Sequence, residues 1–319
     1  MMRKVLSLIL AIALASVSTP HLAGQGSLKI AVIPKGTTHI FWKSVEAGAR
    51  AAGKELGVEI IWKGPLKEND RAQQISIVEQ FVTEGVSGIV LGPLDHTALQ
   101  RPVAAALQKR IPVVIFDSAL KGEPGKDFVS YVATNNKKGG SLGGEHLSKL
   151  MGGQGKIVLL RYQVGSASTT EREEGFLEAV GKSRDLKVIV DNRYAGATAG
   201  EAKTAGMNIV DKLKEANGIF CPNESSTFGM LLALRQNNLA GKVKFVGFDT
   251  SPPLIEALQN GEIDALVAQD PTRMGYEGVK ILVAHIQGKE VPKIVDTGVR
   301  LITRDNLNSP EIKKLLRVQ

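Results

Sequence analysis

Cysteine, aromatic residues and long apolar runs are all scarce in this chain. The 319 residues include a single cysteine, Cys221, so no intrachain disulfide can form. Aromatic residues make up 5% of the chain, and the net charge of +8 is a mild excess without a basic stripe. Binding to nucleic acid usually requires such a stripe and aromatic platforms, so no nucleic-acid partner is expected. The length instead fits two lobes of roughly 100 to 150 residues, each with its own core.

The N-terminal segment predicts export from the cytoplasm. Two basic residues precede an apolar run at positions 5–17, and small residues around Ala23 follow it. This order is typical of a cleaved signal peptide, here assigned to residues 1–26, and the run is shorter than the ~20 residues of a membrane span. No cysteine follows the run, so a lipid anchor is not expected. The mature chain is therefore predicted to be a free periplasmic protein.

Strand-like and helix-like segments alternate along the remaining chain. Apolar runs predict strands near 28–34, 58–63, 87–91, 112–116 and 128–132, and then near 156–161, 186–190, 217–220, 243–247 and 264–268. Helical spacing predicts helices in the second half near 169–181, 199–214, 225–237 and 252–259. Alternation of this kind is the signature of parallel sheets built from βαβ units. The predicted fold is α/β, with two doubly wound parallel-sheet lobes. The last predicted helix, 276–286, and the last predicted strand, 294–303, return to complete both lobes.

The sequence contains no recognisable catalytic constellation. The glycines at 139–144 lack the dinucleotide-binding spacing and are interpreted as close packing of a helix. The stretch 152–156 precedes a strand and lacks the Ser or Thr of a phosphate-binding loop. The five histidines are scattered without the spacing of metal ligands. We therefore expect neither an enzyme nor a metal site nor a cofactor.

Polar residues follow the predicted strands at the edge where an open α/β sheet binds ligands. Sugars offer adjacent hydroxyl groups that accept from guanidinium groups and donate to carboxylates. Groups suited to this chemistry are Asp117, Arg172, Asn223, Asp249 and Gln269. Two aromatic residues just after the first strand, Phe41 and Trp42, fit flat packing against a pyranose or furanose ring.

Structural alternatives exist for three of these residues. Phe41 and Trp42 could instead be core residues that open a helix. Asp249 could be the N-cap of the helix that begins near Pro252. Five strand-like runs, 29–35, 113–118, 218–224, 243–250 and 265–270, end in polar residues, and their agreement favours the carbohydrate interpretation.

With these residues the chain resembles the type I periplasmic solute-binding proteins of the ribose-binding family, the receptors of bacterial ABC sugar importers. The most specific marks are the segments 170–176, 246–249 and 268–271, TEREEGF, VGFD and AQDP. The resemblance implies a ligand-binding role for Lys35, His39, Phe41, Trp42, Asp117, Ser118, Ser168, Arg172, Tyr194, Asn223, Asp249 and Gln269.

Two departures from the ribose pattern bear on the ligand. His39 stands where the family often has Asn, and Ser118 follows Asp117 where ribose binders carry Arg. These positions argue against ribose itself. The segment 33–35, and Lys35 in particular, is closer to rhamnose-binding proteins and to autoinducer receptors of the same fold.

The family also implies a mechanism of domain closure about three hinge crossings, near 133–135, 268–271 and 296–299. Its domain division would be a signal peptide at 1–26, an N-terminal lobe at 27–133 plus 270–297, and a C-terminal lobe at 134–269 plus 298–319. The expected partners are a small sugar or polyol and an ABC permease, with a chemoreceptor as a further candidate, and the chain is expected to be a monomer.

Two other functions share this fold. An autoinducer-like or chemotactic signal receptor remains the alternative to a transport receptor. A sugar-responsive transcription regulator would need an N-terminal helix-turn-helix of about 60 residues. The predicted signal peptide occupies that position.

Overall fold

The computed structural model describes residues 27–317, and the predicted signal peptide lies outside the described residues. Twelve strands form two six-stranded sheets in this part of the chain. The strands of the first half are β1 (Lys29–Ile33), β2 (Glu59–Trp62), β3 (Gly88–Leu91), β4 (Val113–Phe116) and β5 (Ser130–Ala133). Those of the second half are β6 (Gln154–Arg161), β7 (Asp185–Tyr194), β8 (Gly218–Phe220), β9 (Lys244–Phe248), β10 (Ala265–Ala268), β11 (Ile294–Asp296) and β12 (Arg300–Thr303).

Helices flank both sheets. They are α1 (Ile40–Leu56), α2 (Arg71–Glu84), α3 (Gln100–Gln108), α4 (Asn136–Leu150), α5 (Ala167–Val180), α6 (Ala199–Met207), α7 (Val210–Glu215), α8 (Glu224–Gln236), α9 (Pro252–Gln259), α10 (Pro271–Ile286) and α11 (Pro310–Arg317). The predicted single helix at 199–214 was wrong, because the chain turns at Asn208 and Ile209. Ile209 there joins the apolar core beneath the second sheet.

The two sheets have matching strand orders, β2-β1-β3-β4-β5-β11 and β7-β6-β8-β9-β10-β12. All neighbours are parallel except the edge pair of β10 and β12. The central strands β3 and β4 are buried throughout because helices cover both faces, which explains their continuous apolar sequence. The predicted fold class, two doubly wound α/β lobes, is confirmed.

The chain passes between the sheets three times. It leaves the first sheet after β5, returns after β10 to form α10 against α1, and adds β11 to the first sheet before β12 joins the second. The strand-like stretch predicted at 294–303 is thus two strands in different sheets, separated by Gly298 with a φ of 90°. We refer below to each sheet with its packed helices as the first and second lobe.

Reciprocal glycine contacts bring two helices together in each lobe. In the first lobe, a Cβ atom added to Gly48 of α1 would lie 1.9 Å from the backbone oxygen of Thr272 in α10. A Cβ atom at Gly275 of α10 would lie 2.0 Å from the oxygen of Val45. Only glycine permits this separation of the two helices.

The same arrangement recurs between α4 and α5 in the second lobe. A Cβ atom at Gly140 would lie 1.9 Å from the backbone oxygen of Arg172, and one at Gly175 would lie 2.1 Å from that of Lys137. The interpretation of the 139–144 glycines as close helix packing is therefore confirmed. The contact also fixes the backbone of Arg172, a predicted ligand-binding residue.

We predict that Gly140→Ala destabilises the protein, because the new methyl group would force α4 and α5 apart. The free energy of unfolding should fall by about 1–3 kcal/mol, the usual cost of overpacking. Urea unfolding followed by circular dichroism measures this change. The matched control is Gly200→Ala in α6, where the nearest heavy atom to the new Cβ lies 3.9 Å away. Equal losses in both variants would contradict the packing argument.

Candidate ligand-binding site

Residues from both lobes line a small cavity between the carboxyl ends of the two sets of strands. Ten of the twelve residues predicted for the site line it. They are Lys35, His39, Phe41, Trp42, Asp117, Ser168, Arg172, Asn223, Asp249 and Gln269.

Lys35 connects the two lobes at the floor of the cavity. Its Nζ lies 2.9 Å from Asp117 Oδ2, within the first lobe, and donates over 2.9 Å to Ser168 Oγ in α5 of the second lobe. Lys35 and Asp117 are each 3% exposed, so this ion pair is almost fully withdrawn from solvent. Ser118 lies behind the cavity wall rather than in it. Its Oγ accepts from the backbone N–H of Ser168.

Arg172 is held rigidly by the second lobe and the crossing after β10. Its Nε donates to Asn136 Oδ1 over 2.9 Å, Nη1 to the carbonyl of Pro222 over 3.0 Å, and Nη2 to Gln269 Oε1 over 2.8 Å. The guanidinium carbon also lies 4.0 Å from the centroid of the Phe248 ring. These bonds use three of the five N–H groups of the guanidinium, so the group is oriented and retains donor capacity toward the cavity.

Asp249 joins this network on its other side. Gln269 Nε2 donates to Asp249 Oδ1 over 2.7 Å, and the backbone N–H of Glu224 donates to Asp249 Oδ2 over 2.8 Å. Burial raises the pKa of Asp249, and the charge of Arg172 opposes that rise. The alternative that Asp249 caps α9 is wrong, because Ser251 holds the N-cap position and Asp249 bonds to α8 instead.

Asn223 lies in the cavity wall and also has a structural role. It is the N-cap of α8, and its Oδ1 accepts from the backbone N–H of Ser226 while Ser226 Oγ accepts from the Asn223 N–H. The cap sets the start of α8 at the cavity and thereby places Glu224. Glu224 was missed by the sequence analysis, since an acid in a first helical turn is common in solvated helices.

A second buried ion pair, His39 with Glu68, lies above Lys35. His39 Nδ1 is 2.6 Å from Glu68 Oε1, which also accepts from Trp42 Nε1 over 2.7 Å. Across the cleft, the hydroxyl of Tyr162 donates to Glu68 Oε2 over 2.9 Å. Glu68 and Tyr162 were not predicted, although Tyr162 directly follows β6 and its position at a strand end was a usable signal. Glu68 lies in a polar segment, 63–70, that is typical of a solvated loop.

The electrostatics of this pair favour the charged forms of both side chains. Burial lowers the pKa of His39, but the carboxylates of Glu68, Glu224 and Asp249 outweigh it and raise the pKa to about 9. Burial raises the pKa of Glu68. The positive charges of His39 and Lys35, together with the hydrogen bond from the Trp42 N–H, lower it by more, so the pKa falls to about 2. Around neutral pH the site therefore holds an imidazolium ion beside a carboxylate.

The two adjacent aromatic residues share one ring cluster. Trp42 is 2% exposed and packs edge-on against Phe116, with ring centroids 6.0 Å apart, and against Phe41, with centroids 4.9 Å apart. Trp42 is thus a core residue whose edge reaches the cavity, so the core interpretation and the site interpretation both apply to it. Phe41 is only partly buried and lines the cavity.

Tyr194 requires a correction. It ends β7, the edge strand of the second sheet, and is 47% exposed, outside the residues that line the cavity. An edge strand lies farthest from the junction of the lobes, so its last residue reaches solvent. The buried tyrosine of the site is Tyr162 instead.

Other expectations concern metals, membranes and the thiol. Within residues 27–317, no group of His, Cys, Asp and Glu side chains is arranged to hold a metal ion. No helix in the same range has the length and apolar character needed to cross a bilayer. Cys221 is buried at the end of β8, and burial raises the pKa of its thiol well above the ordinary value.

Two lobes of this topology, joined by three crossings around a polar cavity, define a class of two-lobed ligand-binding proteins. The family model of the periplasmic binding protein domain matches residues 30–290, so the chain belongs to that family. The family consists of binding proteins, which confirms the expectation that this chain is not an enzyme.

Individual relatives agree over nearly the whole length. The ribose import binding protein of Salmonella typhimurium is 28% identical over 310 residues, covering 95% of this chain and 99% of that protein. A carbohydrate transporter solute-binding protein from Agrobacterium radiobacter, solved in complex with D-arabinose, has a TM-score of 0.87 and 34% identity, over 92% of this chain and 99% of that one. An ABC transporter solute-binding protein from Agrobacterium vitis with bound D-fucose has a TM-score of 0.86 and 34% identity, over 89% and 98% of the chains.

We predict that stability falls in alkaline solution as His39 loses its proton. A folded-state pKa of about 9 for His39, above the ordinary value of 6.5, means that its contribution to stability is complete below pH 6.5 and disappears as the pH rises through 9. The loss should reach at most about 3 kcal/mol of unfolding free energy. Melting temperatures between pH 6 and 10 measure it.

The control for this experiment is His39→Gln, which keeps a hydrogen-bond donor near Glu68 but cannot titrate. The variant should be less stable than the wild type at pH 6, and its melting temperature should change less between pH 7 and 10. Parallel profiles for the two proteins would contradict the assignment of the alkaline transition to His39.

Proposed function

We propose that this protein binds a neutral monosaccharide or a related polyol between its two lobes and presents it to an ABC permease. Membership in the periplasmic binding protein family and the sugar ligands named for its relatives support this function. The observation that carries the proposal is the convergence of planar donors and acceptors from both lobes on one small cavity. Arg172, Asp249 and Gln269 approach it from one side, and Lys35 and Asp117 approach it from the other.

The charge balance of the cavity favours an uncharged ligand. Its cationic groups, Lys35, His39 and Arg172, already lie beside the carboxylates of Asp117, Glu68 and Asp249. The fourth carboxylate of the cavity, Glu224, accepts from two backbone N–H groups of α1. A carboxylate or ammonium group on the ligand would therefore enter as an additional buried charge and would lose its hydration without a free counterion. Hydroxyl groups, by contrast, can donate to the carboxylates and accept from Arg172 without adding charge.

The choice among sugars follows from the residues beside Asp117. Ser118 is turned toward the backbone of α5 and gives no guanidinium at the position where ribose binders carry Arg. We therefore propose a pentose or hexose other than ribose, within the class to which D-arabinose and D-fucose belong. Two similar structures contain these sugars as bound ligands.

Binding is proposed to operate through lobe closure. The hydrogen bonds from Lys35 to Ser168 and from Tyr162 to Glu68 cross the cleft, so the structure represents a closed arrangement. A ligand that contacts both lobes stabilises this arrangement over an open one. The permease then recognises the closed surface.

Three further parts of the proposal come from the chain itself. Both lobes and all the cavity residues named above belong to one chain, which supports a monomer as the working unit. We propose the division of the chain into a lobe of 27–133 plus 270–297 and a lobe of 134–269 plus 298–319, which the strand order supports. Cleavage of the N-terminal segment is proposed from its sequence pattern.

A thermal-shift screen should identify the ligand class, because a molecule that binds only the native state raises the melting temperature. We expect stabilisation by one or a few of D-arabinose, D-fucose, D-allose, L-rhamnose and ribose, with ribose the weakest of those that bind. Sugar acids and amino sugars serve as charged comparators and should give no shift. A shift with an autoinducer alone would replace transport by signalling as the function.

We predict that Arg172→Ala abolishes binding of the ligand that the screen identifies. The substitution removes donors to the ligand and the two hydrogen bonds that Arg172 donates to the buried oxygens Asn136 Oδ1 and Gln269 Oε1. Affinity by calorimetry should fall by at least about 100-fold, and circular dichroism should verify the fold.

The control is Arg235→Ala, in α8 of the same lobe. Arg235 forms a partly exposed ion pair with Glu262, away from the cavity. This variant should keep wild-type affinity. If Arg172→Ala also kept it, the site assignment would be refuted.

A further inference from the structure

Glu224 belongs to the second lobe, but its side chain contacts the first lobe. Its carboxylate crosses the cleft to the start of α1 in the first lobe. Glu224 Oε1 accepts from the backbone N–H of Ile40 over 3.3 Å, and Oε2 accepts from that of Phe41 over 3.0 Å. Ile40 and Phe41 are the first two residues of α1, so Glu224 occupies the place of an N-terminal cap.

The first lobe supplies no equivalent side chain to this helix end. His39 is at the N-cap position, but its side chain bonds to Glu68 and makes no capping bond. The first turn of α1 contains no acidic residue. Within residues 27–317, therefore, the carboxylate that compensates the amide groups and the dipole of α1 comes from the opposite lobe.

Helix α5 resembles α1, because Ser166 at its N-cap makes no side-chain capping bond and the backbone N–H of Ser168 donates to Ser118 Oγ of the first lobe. Three other helices that begin near the cavity are capped from their own segments. Asn135 caps α4, Asn223 caps α8 and Asp270 caps α10, each through its own adjacent backbone. These caps persist whether the lobes are together or apart. The bond from Glu224 to α1 exists only when the lobes are together.

A chain of hydrogen bonds links Glu224 to the proposed ligand groups. Arg172 donates to Gln269, Gln269 donates to Asp249, and the carboxylate of Asp249 accepts from the backbone N–H of Glu224. The position of Glu224 is thus fixed by the same side chains that are proposed to hold the sugar. On the far side of the contact, α1 carries Phe41 and follows His39, which both line the cavity.

We propose that Glu224 is an interlobe positioning residue, a helix cap supplied in trans that stabilises the closed arrangement and sets the start of α1 against the cavity. This inference rests on the proposed lobe closure. Separation of the lobes leaves the α1 amides and the Glu224 carboxylate to water. Closure exchanges that hydration for two charge-assisted hydrogen bonds at the positive end of a helix of 17 residues.

The test measures the distance between the lobes in the ligand-free protein. Spin labels at Arg101→Cys and Glu174→Cys occupy exposed positions on opposite lobes, and the buried thiol of Cys221 is shielded from the labelling reagent. Pulsed electron resonance then gives the populations of closed and open forms. We expect Glu224→Ala to lower the ratio of closed to open protein by about fivefold, the effect of a typical lost helix cap. Glu224→Gln keeps one acceptor oxygen and should lower the ratio by a smaller factor.

The matched control is Glu201→Ala. Glu201 caps α6 through the backbone N–H groups of Ala197 and Thr198, entirely within the second lobe. It should reduce the melting temperature without changing the ratio of closed to open protein. A residue that only contacts the ligand would leave the ligand-free distances unchanged, so the measurement separates positioning from direct binding.

The outcomes for the two proposals are distinct. A wild-type protein that binds a sugar and closes, with a Glu224→Ala variant that has the same ligand-free distances, overturns the trans cap and leaves the proposed function intact. A wild-type protein that binds none of the screened sugars overturns the proposed function, while the ligand-free comparison of wild type and Glu224→Ala still decides the role of Glu224. An equal shift in Glu201→Ala also overturns the trans cap.

Discussion

The charged side chains at the junction of the two lobes are buried, and a buried charge is stable only beside a partner. Seven acidic or basic side chains line this cavity: Lys35, His39, Glu68, Asp117, Arg172, Glu224 and Asp249. Part of their pairing lies within a lobe and part crosses the cleft. The ion pairs of Lys35 and His39 lie within the first lobe, and lobe closure adds the hydrogen bonds of Lys35, Glu68 and Glu224 across the cleft. The fold must therefore supply these partners at hydrogen-bond distance when the lobes meet.

Internal symmetry explains how a single chain supplies these partners. Strand β4 in the first sheet and β9 in the second hold the same place in the strand order, and each is followed by an aspartate, Asp117 and Asp249. Both have left-handed backbone conformations, with φ values of 62° and 71°, which turn the chain sharply at the strand end. The two facing lobes thus present equivalent aspartates to the cavity, and Lys35 and Arg172 compensate them differently.

The fold could be predicted from the sequence, because buried parallel strands consist of continuous runs of apolar residues. The sequence was also sufficient for most of the cavity wall, because Lys35, Asp117, Asn223, Asp249 and Gln269 follow strands directly. Their place in the wall comes from topology, and their role with a ligand stays a prediction. The resemblance to the ribose-binding family misplaced Tyr194, because β7 lies at the edge of its sheet, and apolar runs do not reveal strand order.

Glu68 and Glu224 could not be predicted from the sequence, for a different reason. Neither follows a strand directly, and each is an ordinary residue for its local setting, a polar loop and a first helical turn. Their significance arises from partners on the opposite lobe, Tyr162 for Glu68 and the amide groups of α1 for Glu224. Such pairs depend on the relative placement of two lobes, which no local pattern encodes.

The division of contacts between the lobes also sets the order in which a ligand can be held. Arg172 donates its three hydrogen bonds to Asn136, Pro222 and Gln269, none of which requires the first lobe to be close. Its guanidinium is therefore oriented before closure, and little rotamer entropy remains to be lost when a sugar binds there. The first lobe differs, because Lys35 and Glu68 complete their hydrogen bonding only with Ser168 and Tyr162 across the cleft. A ligand that docks first on the second lobe meets a formed site, and the first lobe then closes over it as its own polar groups gain partners.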